Sequence, residues 1–505
     1  MHRDSPIQGD ARMIPQLRHT TLFRAAFSLL LLAVGPEASP AAVFPVTPGA
    51  TDDTPDAIPG NGVCLTATGT CTLRAAVQEA NAFAGSDRIE VPAGMYVLTS
   101  PGAVEDFAET GDLDLTETVD VVGVGPGGKI VDGNGLDRVF DVHAGVAARI
   151  EGLEIRGGNA AAVTFPGHIG GGILARNASN LDLASCAIVG NRANAGGGLY
   201  AQSGSTATVT DCSIRDNVAA DLGFMTPAGP GVLSEGDTDL DRCEVSGNTA
   251  ALVGGAVLSR NAIALGVRNS TISANGDIGL GSDNAELDVE NTTIVDNGAI
   301  GLSVFSTAGH ALTVRNAIIS GNSGGDCSIV GIPAGDLDFA GEHNLSGDAS
   351  CPNDGGVVDM PSTDPLLGSL LIAGGTTRVH VPLVGSPVID AGNDARCEPD
   401  DQRGASRPLD GDGIGGATCD MGAVETLPCT GTADLVVANE MVTVLTEFVG
   451  CYTVSVGPTV DVLSGGELAL RARDAVSFGD GVSVSGGGSL TVTLDPAAAS
   501  GITLP

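Results

Sequence analysis

The loop Asp410-Gly-Asp412-Gly413, with Asp400, Asp401 and Asp420 nearby, holds the densest set of potential ligand atoms in the chain. Alternating Asp and Gly puts carboxylates on one side of a tight turn, which suits Ca²⁺, a hard cation that takes about 6 to 8 oxygens. The bidentate Glu that closes an EF-hand loop is absent, so the match to that motif is partial. The sequence therefore predicts a structural Ca²⁺ site built from Asp401, Asp410, Asp412 and Asp420, with a solvated Gly-rich acidic turn as the alternative. His143, His168, His310 and His380 show no triad spacing with a nucleophile, and no residue is assigned as catalytic.

Thiols are the second reactive group. Of the 11 cysteines, four pairs lie close in sequence: Cys64 with Cys71, Cys327 with Cys351, Cys397 with Cys419, and Cys429 with Cys451. No C-x-x-C spacing points to zinc, so disulfides in an oxidising compartment are expected. The pair Cys397 and Cys419 brackets the acidic loop. Cys186, Cys212 and Cys243 stand outside this scheme.

Internal repetition accounts for them. Segments align on Ile155, Ile188, Ile214, Val245, Ile272, Ile294 and Ile319, spaced 22 to 33 residues apart. Three residues after the anchor, six successive repeats carry Asn191, Asn217, Asn248, Asn275, Asn297 and Asn322. Alternating apolar pairs such as Leu181/Leu183 and Leu287/Val289 come before it, and Gly-rich stretches leading into short apolar strands follow. Period-2 alternation with irregular turn lengths is the pattern of coils stacked into a parallel β-helix. Equivalent residues would then lie about 4.8 Å apart, and the Asn column would hydrogen-bond from coil to coil. Two residues before the anchor, Leu153, Cys186, Cys212, Cys243, Ser270, Thr292 and Ala317 form an inward column in which Cys acts as a small hydrophobe. Four before it, Asp241, Arg268, Glu290 and Arg315 form an exposed ladder of alternating sign.

The stack needs a cover at its open end. Residues 72–81 lack Gly and Pro, and Leu73, Ala76, Val77 and Ala80 fall at helical spacing, so a short capping helix is expected there. Ahead of it, Arg18 and Arg24, the apolar run 25–34 and the small residues 38–42 have the order of a secretory signal, with translation starting at Met1 or Met13. Composition agrees with this plan. The chain has 505 residues, 74 of them Gly, no Trp and only 3 Tyr, yet 42% are hydrophobic. That excludes disorder, and the glycines keep no collagen period. A formal net charge of −38 opposes nucleic acid and anionic membrane surfaces and favours cations.

Cys71-Thr-Leu-Arg-Ala-Ala-Val-x-x-Ala-Asn81, followed by Asp87-x-Ile-x-Val-Pro-Ala-Gly94-x-Tyr96, resembles the CSLREA motif of secreted bacterial β-helix proteins, with Thr72 and Ala75 as departures. Asp364-Pro-Leu-Leu-Gly368, Gly385-Ser-Pro-Val-Ile-Asp-Ala-Gly392, Asp401-Gln-Arg-Gly404 and Cys419-Asp-Met-Gly-Ala-Val-Glu425 resemble the choice-of-anchor Q region. The tail is similar to small stacked-coil β modules, and the repeat rhythm to polymorphic outer-membrane proteins. These resemblances imply an all-β protein: a right-handed, pectin-lyase-like parallel β-helix with a short N-terminal capping helix and a small C-terminal β module. Such folds include polysaccharide lyases and glycoside hydrolases, but fold alone does not assign activity. Hydrolysis needs two carboxylates about 5 to 10 Å apart. In the repeat alignment Asp182, Asp211, Asp216, Asp239, Asp288 and Asp296 read as belonging to different columns, and Lys129, the one lysine, sits in a Gly-rich turn.

The expected organisation is a signal peptide over 1–42, a cap over 43–86, β-helix repeats over 87–326, the anchor-like region over 327–429 and the small module over 430–505. The expected role is a secreted or cell-surface scaffold, monomeric and without a membrane span in the mature chain. It would be structural, adhesive or glycan-binding, with extracellular glycans or cell-surface components as partners. A carbohydrate-active enzyme is the alternative, and Ca²⁺ the one expected cofactor.

Overall fold

A computed structural model describes residues 41–426 except 103–104, 161–167, 224–225, 253, 308, 384 and 412–414, and gives the backbone of tail strands between Leu435 and Thr503. Residues 1–40 of the expected leader therefore lie outside the described residues.

Each repeat turns through three short strands, and each strand joins its equivalent in the next coil in parallel. An eleven-stranded sheet runs from Val43–Pro45 to Leu337–Asp338, a ten-stranded sheet from Gly94–Val97 to Leu345–Ser346, and a nine-stranded sheet from Leu113–Leu115 to Cys327–Val330. The repeat anchors pair in register: Ile155 with Ile188, Ile188 with Ile214, and so on to Ile294 with Ile319. Alternation sends every second side chain inward, where Leu181, Leu183, Ile188 and their equivalents fill one continuous core. Cys186, Cys212 and Cys243 stack inside it as buried free thiols.

The Asn column is a buried ladder. Asn191 donates its amide to Asn217 at 3.1 Å, Asn217 to Asn248 at 3.0 Å, Asn248 to Asn275 at 3.0 Å, and the chain continues through Asn297 to Asn322. Each amide also donates to a carbonyl one coil back, as Asn248 does to Ile214 at 2.9 Å. Each Oδ1 from Asn217 onward takes the backbone N–H of the preceding Asn as well, as Asn248 does from Asn217 at 3.0 Å. Asp326 ends the column by accepting from Asn322 at 3.0 Å. With the ladder handed to Asp326, the coils continue through Ser346, past the expected boundary at 326.

The cap is the expected helix, Leu73–Ala82, whose Leu73, Ala76, Val77 and Ala80 are buried. Thr72 caps it by accepting from the Ala75 N–H at 3.1 Å. Arg74, wholly buried, pairs with Asp53 at 2.7 Å and donates to the carbonyls of Ala108, Gly111 and Asp112. It thereby ties the cap to the turn beneath. The strand Val43–Pro45 adds to the edge strand Asp87–Val91, so the segment before the helix closes one sheet edge.

Residues 364–425 dock against the outside of the ten-stranded sheet. Upstream strands there bury only their central residue, as in Ala187–Val189, whereas Glu244–Ser246, Thr271–Ser273 and Thr293–Val295 are buried throughout. The reason is the docked segment: Thr271 donates to Gln402 at 2.6 Å, Ser273 meets His380 at 2.8 Å, and Arg378 pairs with Glu244 at 2.9 Å. Val295, Ile318 and Leu345 pack with Val388 and Met421 as a second small core.

Disulfides join Cys64 to Cys71, Cys327 to Cys351 and Cys397 to Cys419. Cys429 and Cys451 lie outside the described residues. The tail strands form parallel sheets of four, three and three strands. Among the described residues no helix is long and apolar enough to cross a membrane.

The ladder makes a quantitative demand. Asn248→Ala leaves the Asn217 amide and backbone N–H without their acceptor, which should cost roughly 3 kcal/mol given the usual penalty for orphaned buried groups. Equilibrium denaturation checks this; a loss below about 0.5 kcal/mol, the scale of a surface substitution, would contradict it.

Candidate functional site

The outer face of the eleven-stranded sheet collects charge in one line. Its register places Asp120, Arg149, Asp182, Thr208, Asp239, Gly266, Asp288, Thr313 and Asp338 side by side in successive coils. An acid thus occupies every second coil, and the carboxylate positions recur about every 10 Å, twice the strand spacing. This corrects the expectation that Asp182, Asp239 and Asp288 belong to different columns. The signal was present, since each stands six residues before its anchor: Ile188, Val245 and Ile294. Asp211, Asp216 and Asp296 stand outside this column, at turn positions with φ of 55°, 58° and 57°, but Asp216 and Asp296 share a turn column of their own, each two residues after its anchor, Ile214 or Ile294.

Arginines thread the acids. Arg149 bonds Asp182 at 2.7 Å, Arg268 bonds Asp239 at 2.9 Å, and Arg315 bonds Asp338. The expected sign-alternating column of Asp241, Arg268, Glu290 and Arg315 lies directly beside this one. Its members are partly buried, and Arg315 reaches Glu290 at 3.0 Å.

Gly266 opens a recess in this face. A cavity of about 460 Å³ is lined by Asp239, Gly266, Arg268, Glu286, Asp288 and Thr313. A Cβ at position 266 would stand 2.2 Å from Oδ1 of Asp239. The Asp239 carboxylate therefore leans over the vacant position, into the coil between itself and Asp288. Opposite it, Oδ1 of Asp288 is buried with no hydrogen-bond partner among the described residues. Burial, then the charge of Glu290, raises the pKa of Asp288 against the pull of Arg315 and Arg268. Glu398 of the docked segment reaches the same neighbourhood. Its pKa is raised by burial and by the nearby Glu290 carboxylate. The recess thus sets a carboxylate–guanidinium pair against an unsatisfied carboxyl, with the Thr313 side chain at its rim. It offers hydrogen-bond donors and acceptors to a hydroxyl-rich ligand.

The expected Ca²⁺ residues have other commitments. Asp401 is buried and accepts from the Arg403 side chain and from the N–H groups of Arg403, Ala405 and Glu425. Asp420 accepts the N–H groups of Asp390 at 2.7 Å and Thr426 at 2.6 Å. Asp410 keeps a buried Oδ1 without a hydrogen-bond partner. Among the described residues these three do not bring ligand atoms within 4.8 Å of one another, and Asp412 lies outside the described residues. His380, buried between Ser273 and the Gly368 carbonyl, is a docking residue.

The docked segment carries a pH dependence. Burial raises the pKa of Asp420 to about 6, and burial followed by the charge of Asp420 raises that of Glu425 to about 7. Arg407 beside them has a fully buried side chain, 3.7 Å from Glu425. A carboxyl with a raised folded-state pKa binds protons more readily folded than unfolded. Its stabilising share is complete below the unfolded pKa near 4 and fades as pH rises through about 7. Denaturation midpoints measured from about pH 5 to about pH 8 should fall with pH in the parent chain, and Glu425→Gln should flatten that slope. An unchanged slope in the variant would contradict the assignment.

Comparison with known proteins adds the handedness. Residues 152–334 match the family model for the right-handed β-helix region, and the fold is a right-handed parallel β-helix. A solved structure of pectate lyase Pel9A is similar at 13% identity and a TM-score of 0.46, covering 77% of this chain and 97% of that one. A likeness at that level carries no chemistry across. Among curated proteins none matches.

Proposed function

We propose that this chain is an exported β-helix scaffold that binds an extended glycan along the outer face of its eleven-stranded sheet. The observation that carries this reading is the Gly266 recess, where a buried carboxyl oxygen of Asp288 has no partner among the described residues. A buried polar atom left unpaired is costly, and a ligand hydroxyl would satisfy it. The alternating Asp column extends the same chemistry along the coils, which suits a chain-like ligand over a compact one. Export is supported by the charged-then-apolar N-terminal segment and by three disulfides among the described residues.

Catalysis on a carbohydrate is the second reading, and one observation favours it. Asp288, its pKa raised by burial, faces Asp239, which is paired with Arg268. A carboxyl whose proton burial holds more tightly, across from one bound to a guanidinium, is the kind of asymmetry that glycoside hydrolysis uses.

Calorimetry against a panel of neutral, acidic and amino-sugar oligosaccharides separates the outcomes, with reducing ends and unsaturated products assayed in parallel. The parent chain should bind at least one class. Gly266→Leu, which fills the recess, should weaken that binding roughly tenfold, about 1.4 kcal/mol, without lowering the thermal midpoint. Product release lost in Asp288→Asn would establish the catalytic reading. Binding unchanged in Gly266→Leu, or no binding and no product across the panel, would contradict the proposal.

A further inference from the structure

A separate polar cluster lies on the outside of the nine-stranded sheet, at its cap end. There the outward column begins with Asp114 and Asp141 and then turns apolar with Leu174 and Tyr200. The turns around it add Asp106, Asp112, Asp137, Arg138, His143 and Arg176. Five carboxylates thus meet two guanidinium groups and one imidazole.

The arginines are directed to one side of the cluster. Arg138 bonds Asp141 and lies 3.4 Å from Asp112 and 3.7 Å from Asp137. Arg176 bonds Asp141 at 2.8 Å and Asp106 at 2.7 Å. Asp114, wholly buried, has other partners. One oxygen of Asp114 accepts the Ala108 N–H at 2.9 Å, and the other faces Nε2 of His143 at 2.9 Å. That same nitrogen is 3.6 Å from Asp106. Asp106, Asp114 and His143 each bring a ligand atom to within 4.8 Å of the others.

We infer that Asp106, Asp114 and Nε2 of His143 form a binding site for a divalent transition-metal ion of the Zn²⁺ class. Two carboxylates and an imidazole are donors that Zn²⁺ accepts, and three protein ligands leave a position for water. The imidazole argues against Ca²⁺ and Mg²⁺, which take oxygen ligands. A bound dication supplies two of the positive charges that the arginines do not provide. Asp106 stands on the turn that leads from Gly94–Val97 to Leu113–Leu115, so the ion would also clamp that turn to the sheet. The site is distant in sequence from the acidic loop at 410–413 and shares no residue with the Gly266 recess.

The full-length chain, freed of metal with chelator, is titrated with Zn²⁺ by calorimetry and with Co²⁺ by visible absorption. One Zn²⁺ per chain should bind, excess Ca²⁺ should not displace it, and Co²⁺ should show ligand-field bands. His143→Gln should weaken Zn²⁺ by at least the roughly tenfold that lesser changes around a metal site cause. Asp106→Asn alters an exposed residue, so it keeps the fold intact while weakening the site comparably. Absence of Zn²⁺ binding, binding undiminished in both variants, or equal competition by Ca²⁺ would overturn the assignment.

Discussion

Hydrogen bonds between successive coils set the positions of everything else in this chain. A single coil of three short strands has too little apolar surface to hold its own shape, and its loops vary too much in length to define where the next coil must lie. The buried Asn ladder removes that freedom. Each amide is both donor and acceptor, and its partners lie in the coils on either side. A slip between coils would leave several buried polar groups unpaired together, each at a cost of about 1–3 kcal/mol. Register is therefore held by satisfied polar groups at one corner and by apolar stacking across the lumen.

Fixed register turns a pattern in sequence into a line on a surface. Residues six positions ahead of three anchors become carboxylates in one column, two strand steps apart. Spacing them by Arg, Thr or Gly keeps like charges out of adjacent positions, where they would destabilise the sheet. Only at Gly266 does this column lack a side chain, and there the neighbouring acids gain a shared recess. The three sheets divide their outer faces differently. The ten-stranded sheet is covered by residues 364–425 over its later coils, the nine-stranded sheet carries the ionic cluster at its cap end, and the eleven-stranded sheet presents the charged column.

Much of this was legible in the residues. The anchors, the Asn column, the inward thiols, the capping helix and three disulfide pairs all follow from local pattern or from spacing within one repeat. What was missed depends on contacts that no repeat period reports. Thr271 meets Gln402 across 131 residues and Glu244 meets Arg378 across 134, so the docked segment cannot be inferred from periodicity. Arg74 looks like an exposed helical residue until Asp53 and three carbonyls surround it. The Asp column differs from these. Its signal is a fixed distance of six residues from the anchor, which no acid taken singly displays.

On the proposed reading, the scaffold meets its ligand at the Gly266 recess. Carboxyl footprinting of the intact chain, with and without a bound oligosaccharide, tests it directly, because Asp239, Glu286 and Asp288 are themselves the groups labelled. Ligand should protect these three while Asp410 and Asp106 stay equally reactive. Protection confined to the docked segment or to the nine-stranded sheet, with Asp239 and Asp288 unchanged, would contradict it.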